Sequence, residues 1–147
     1  MTSLKCYKAF PNLKPWRSAE RFCLHGGGSL AEPKSTSIVF SVLEAINLQS
    51  SPGKYWIGGK RSESNNNFVW ASDDSTVGDA HWAEGFPELG SGCIFQTAPD
   101  GYMRNYYCGQ LNYFVCELDV NTVFNTLVEG TYNIFNNVLN IFHINNK

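Results

Sequence analysis

No stretch of this chain stays apolar for the roughly 20 residues that a bilayer-spanning helix needs. The opening residues, "MTSLKCYKAF", lack the apolar core of a secretory leader. The expectation is that secretion is encoded upstream, that Met1 was added to a mature fragment, or that the protein is not exported. An excess of positive charge is missing too: 11 Lys and Arg face 13 Asp and Glu, for a net charge of −2. That balance offers no electrostatic footprint for nucleic acid or an anionic membrane. No Asn-x-Ser/Thr sequon occurs, and no two cysteines are spaced C-x-x-C. Close Cys/His pairs of the zinc type are absent, and Cys23 and His25 are too near in sequence to share one helical face as ligands.

What is present points to a globular domain. The chain has 147 residues, of which 43% are hydrophobic and 14% aromatic. That length suits one domain with one core, and that composition excludes a disordered chain. The cysteines are Cys6, Cys23, Cys93, Cys108 and Cys116. A single catalytic thiol would leave the other four unexplained, so four of them read as two disulfides with Cys6 left over.

Along the chain, "KCYKAF" (Lys5 to Phe10) reads as a first strand ended by Pro11. In "PWRSAERFCLHGGG", Pro15 suits the first turn of a helix and the glycines stop it. Trp16, Ala19 and Cys23 follow i, i+3, i+7 and share a buried face. A second helix is predicted from "KSTS", with Ser35 as N-cap and an apolar stripe of Ile38, Val42, Ala45 and Ile46; Ser50–Ser51–Pro52–Gly53 end it. Short strands between glycines follow: "KYWIGG", "NFVWAS", "GCIFQT", "GYMRNYY" and "YFVCEL". A long Gly-, Asp- and Pro-punctuated segment runs from Ser72 to Gly92, and a loop of that length in a compact domain is usually functional. Helices first and antiparallel strands afterwards give an α+β fold class.

Composition shifts after Leu118, dividing the chain into a domain over 1–118 and an Asn-rich apolar tail over 119–147. The tail holds eight Asn and only Asp119, Glu129 and Lys147 as charged residues. Val120, Phe124, Leu127, Thr131, Ile134, Val138 and Ile141 make a heptad-like stripe. Gly130, the Asn content and the lack of flanking charge pairs argue for packing or disorder over an oligomerising helix.

In order, "CYKAFPNLKPWRSAERFC", Trp56-Ile57-Gly58-Gly59, Phe68-x-Trp70, Trp82-x-x-Gly85-x-Pro87 and the Cys93, Cys108, Cys116 spacing ending in "FVCE" resemble the C-type lectin-like domain over about Lys5 to Leu118. The resemblance implies two helices flanking antiparallel sheets, with the two ends of the domain adjacent and a long ligand-binding loop. It implies a Cys23–Cys116 bridge from first helix to last strand and a Cys93–Cys108 bridge bracing the loop. Cys6, which pairs with an upstream cysteine in long-form members, is expected to be unpaired or intermolecular, which allows a disulfide-linked dimer. Trp56, Trp70 and Trp82 fall where the family places core residues.

Members that bind sugar through calcium carry Glu-Pro-Asn or Gln-Pro-Asp in the long loop, an acidic residue before the third motif cysteine, and Trp-Asn-Asp before the fourth. Here those positions hold Phe86-Pro87-Glu88, Ser91 and Met103-Arg104-Asn105. Ca²⁺ takes 6 to 8 oxygen ligands. Phe86 offers none, and Arg104 brings a permanent cation with five donors and no acceptor. The expectation is a loop without the usual calcium site and with no other cofactor. Asp73 and Asp74, with Asp79 and Glu84 nearby, form a weak candidate for an auxiliary Ca²⁺, and a solvated acidic loop is the preferred reading.

Phe86, Glu88, Tyr102, Arg104 and Asn105 are the candidate ligand-binding residues: polar groups for hydroxyls or a carboxylate, and aromatic rings for stacking. The plainer reading is that Arg104 pairs with Glu88 as an electrostatic tie within the loop. "HGGG" at 25–28 has no G-x-S-x-G elbow beside it and reads as a helix stop. His81 reads as a structural hydrogen-bonder. No nucleophile, base and orienting group come together, so no enzymatic activity is expected. The leading function is a secreted, extracellular, calcium-independent carbohydrate-recognition module for a glycan or glycoprotein ligand. The alternatives are recognition of a protein ligand by the same face, and assembly through Cys6 and the tail.

Overall fold

The computed structural model describes residues 4–79, 81–90 and 92–121. Ser91 and the tail's stripe beyond Asn121 lie outside the described residues. Nine elements follow in order: β1 Lys5–Lys14, α1 Trp16–His25, β2 Ser29–Leu30, α2 Thr36–Gln49, β3 Lys54–Arg61, β4 Phe68–Trp70, β5 Cys93–Thr97, β6 Met103–Tyr106 and β7 Asn112–Asp119. They build a seven-stranded mixed sheet ordered β1-β7-β3-β5-β6, with β2 also on β7 and β4 on β3. Lys5 faces Asp119 across the β1–β7 ladder, so the two ends of the domain are adjacent. The α+β class follows from this sheet and its two helices.

The first strand does not stop at Pro11. It continues to Lys14 past a break in register between Phe10 and Lys14. Proline is tolerated there because a bulge demands no ladder hydrogen bond from its missing N–H. Pro15 then serves as the N-cap of α1 in an extended conformation, and Trp16, Ala19 and Cys23 are the buried face of that helix. The glycine run stops it. The Gly26 amide reaches back to the Phe22 and Cys23 carbonyls, and a Cβ on Gly28 would collide with the Glu117 carbonyl. Ser35 caps α2, its hydroxyl accepting the Ile38 N–H at 3.4 Å. The buried stripe of α2 is Val39, Val42, Ala45 and Ile46, with Ile38 only half-buried. The stripe is turned by one residue because α2 packs on the sheet at the level of Val39, whose carbonyl accepts Gln96 Nε2.

Side chains on alternate strand positions feed two cores. Trp56, Phe95, Phe114 and Leu118 pack with Trp16 and Cys23 of α1. Tyr55, Ile57, Ile94 and Val115 pack with Val42 and Ile46 of α2. Both faces of the central strands are therefore covered, which explains the near-continuous apolar runs "YWI", "CIF" and "YFVC". The buried indoles of Trp16 and Trp56 donate to the Ile57 carbonyl at 2.8 Å and the Lys14 carbonyl at 2.9 Å, avoiding the cost of an unpaired N–H. Disulfides join Cys23 to Cys116, 93 residues apart, and Cys93 to Cys108, 15 apart.

The long segment after β4 lies along the outer edge of β6. Met103 donates its N–H to His81 and accepts from the Ala83 N–H. This covers an edge strand that would otherwise present unpaired backbone. At its start the segment is pinned by the buried Glu32 carboxylate, which accepts the Ser72 N–H at 2.9 Å and the Ser72 hydroxyl.

Candidate functional site

The far end of the segment is pinned by Asn105. Its side chain, 1% exposed, accepts the Glu88 N–H at 2.8 Å and donates to the Glu88 carbonyl at 3.0 Å. Strand alternation on β6 turns Met103 and Asn105 inward and leaves Arg104 and Tyr106 outward. Arg104 pairs with Asp100, at 3.2 Å, and not with Glu88 as the sequence suggested. Its other terminal nitrogen donates to the Thr97 hydroxyl at 2.7 Å. The correction has a local cause. Asp100 lies four residues back, across the β5–β6 turn, whereas Glu88 presents only its backbone to β6. Burial pushes the Asp100 carboxyl up, but the Tyr102 N–H, the Arg104 guanidinium and the Thr97 hydroxyl together hold it below the usual carboxylate value.

These residues open on a groove of about 400 Å³ lined by Lys54, Phe86, Glu88, Phe95, Thr97, Arg104, Asn105 and Tyr106. Four of them, Phe86, Glu88, Arg104 and Asn105, are candidates from the sequence. Tyr102 is exposed and does not line the groove. Lys54, Phe95, Thr97 and Tyr106 were missed. Tyr106 was accessible, being two residues from Arg104 on a strand. Lys54 and Thr97 needed the β3–β5 register, in which they face one another. The Lys54 ammonium sits 5.1 Å from the Phe95 ring centroid and 5.2 Å from that of Tyr106, and the Arg104 guanidinium lies 6.0 Å from Phe86. Aromatic faces and cations thus alternate across the groove, offering flat apolar contact beside hydrogen-bond donors.

A second groove of about 480 Å³ runs beside the start of α2, lined by Lys34, Thr36, Trp70, His81 and Met103 among others. Its polar groups are already bonded to one another: Thr36 to His81 at 3.1 Å, and Lys34 to Asp73 at 2.8 Å. Asp73 gives one oxygen to Lys34 and the other to Ser75. The Lys34 and Ser75 hydrogen bonds hold its carboxyl well below the usual range. Among the described residues, no three His, Cys, Asp or Glu side chains gather as metal ligands. No helix among them is long and apolar enough to cross a membrane.

Residues 12–118 match the family model described as the Lectin C-type domain. One subunit of the snaclec coagulation factor IX-binding protein of Protobothrops flavoviridis is 34% identical over 122 residues, which are 76% of this chain and 90% of that one. The C-type lectin mannose-binding isoform of Notechis scutatus scutatus is 32% identical over 120 residues, 76% of this chain and 75% of that one. Human lithostathine superposes with a TM-score of 0.71 at 22% identity, over 81% of this chain and 86% of its own, and speaks for the fold alone. The family is one of binding modules and not of enzymes. The ordered motifs, the two-helix mixed sheet and the matched 107-residue span (12 to 118) agree, and the chain belongs to the C-type lectin domain family.

Proposed function

We propose that the domain works outside the cell and recognises a glycan on a glycoconjugate, using the Lys54–Phe86–Arg104–Tyr106 groove without a bridging calcium ion. The observation that carries this is the Asn105–Glu88 interlock. Asn105 commits Oδ1 to one amide and Nδ2 to one carbonyl, and so has little to offer an ion or a sugar hydroxyl. With Phe86 supplying no oxygen and Arg104 supplying a cation, the exposed Glu88 carboxylate is left far short of the 6 to 8 oxygens that Ca²⁺ takes. A ring-lined groove with donors at its rim suits the mixed apolar and hydroxylated faces of a sugar.

A second reading has support of its own. Leu89 directly follows Glu88 and is 98% exposed, and Tyr106 is 44% exposed. Exposed apolar and tyrosine side chains beside a groove are the usual make-up of a protein-binding surface. The related snaclec, by its name, binds coagulation factor IX. A glycan array probed in calcium and again in EDTA separates the readings. Binding that is unchanged by EDTA is expected, and binding lost in EDTA would refute calcium independence. No glycan signal in either buffer would leave the protein-ligand reading.

A further inference from the structure

We infer that the sugar taken by this groove is acidic, with a carboxylate or sulfate seated against Lys54. The inference rests on the glycan reading above and adds the class of ligand to it. The groove contains two cations in different states. Arg104 is answered by Asp100. Lys54 is not: among the described residues no ion pair reaches it. The exposed Lys54 is nevertheless placed, held over Phe95 and Tyr106 at nearly equal distances. A lysine tethered at two rings has already given up part of the rotamer freedom that a free surface lysine would lose on binding. Its uncompensated charge faces a groove whose floor is aromatic, where water screens it less than at an open surface.

The neighbouring strands supply a second point of contact. Lys54 faces Thr97 in the β3–β5 ladder, and Arg104 faces Phe95 in the β5–β6 ladder. The two cations therefore stand two strands apart, about 10 Å between backbones. Arg104 uses Nη1 on Thr97 and Nη2 on Asp100, and a guanidinium carries five N–H donors, so donors remain for a ligand oxygen. An anionic group at the Lys54 end and hydroxyls toward Arg104 would fit this spacing. The exposed carboxylate of Glu88, which lines the same groove, sets the polarity: it accepts hydroxyls and repels an anion placed at its own end.

The test uses the whole chain in solution and four probes. These are a chondroitin sulfate oligosaccharide, the same oligosaccharide after desulfation, an oligogalacturonate, and its methyl ester. Each charged probe is expected to bind about tenfold more tightly than its neutral counterpart, the scale of one charge-assisted hydrogen bond. The sulfate and carboxylate arms show which anion is preferred. Lys54→Gln should bring the charged-to-neutral ratio close to one, and Lys54→Arg should retain most of it. Tryptophan fluorescence of each variant checks that the fold is intact. Equal binding of charged and neutral probes by the native chain, or a ratio untouched in Lys54→Gln, overturns the inference and leaves the glycan reading standing. Failure of all four probes and of every glycan on the array overturns both.

Discussion

Replacing Asn105 tests whether the long loop is held in place by one buried amide. In Asn105→Ala the Glu88 N–H and carbonyl lose their partners at 2.8 and 3.0 Å. Each such bond contributes about 0.5–1.5 kcal/mol net, and an orphaned buried group costs about 1–3 kcal/mol. The side chain is 1% exposed, so its removal also leaves a small cavity. A loss of about 2–4 kcal/mol is expected, a large share of the roughly 5–15 kcal/mol that a domain of this kind has. Urea unfolding followed by tryptophan fluorescence at pH 7 measures it, and hydrogen exchange at the Glu88 amide reports whether the loop opens on its own. Asn105→Asp gives an independent readout. Burial should raise the introduced carboxyl's folded pKa above its unfolded value. The neutral acid can still donate to the Glu88 carbonyl, so that variant should be least destabilised below about pH 4, and the deficit should grow as pH rises through the folded pKa. An Asn105→Ala variant within about 0.5 kcal/mol of native, with Glu88 exchange unchanged, would refute the interlock.

Three further outcomes are expected. On the chain-entropy model, Cys23→Ala with Cys116→Ala, opening a span of 93 residues, should cost about 4.7 kcal/mol, and Cys93→Ala with Cys108→Ala, over 15, about 3 kcal/mol; denaturant melts in which the shorter bridge matters more would contradict this order. Burial, then the charges of Glu117 and Cys6, push Tyr7 up to about 12, so its contribution to stability should be complete below pH 10 and disappear as pH approaches 12; a phenolate-absorbance difference between native and Tyr7→Phe that appears near pH 10 would show otherwise. Burial also pushes the Cys6 thiol up, so alkylation at neutral pH should be slower than for a free thiol; a reductant-sensitive dimer on electrophoresis, absent in Cys6→Ser, would support the intermolecular role expected from the sequence.

What could be read in the sequence was local. Periodicity placed Trp16, Ala19 and Cys23 on one helical face, and a serine before an apolar run marked the start of α2. Both depend on residues a few positions apart, where backbone geometry alone decides who meets whom. The motifs in order carried the family and, with it, the architecture. Ile38 gave way to Val39 because the sheet, and not the helix, selects the buried side of α2.

The site was only half legible, and the missing half is tertiary. Arg104 and Asn105 are adjacent, and the sequence offers both as ligand contacts. Strand alternation sends one outward to Asp100 and the other inward to the Glu88 backbone, and only the fold says which. Lys54 lies fifty residues before Arg104 (104 − 54) and is inconspicuous until β3, β5 and β6 lie side by side. The amino-acid order set the elements, the covalent staples and the shortage of calcium oxygens, because these are properties of residue type. Which cation is left uncompensated depends on distances across strands, and those exist only once the sheet has closed.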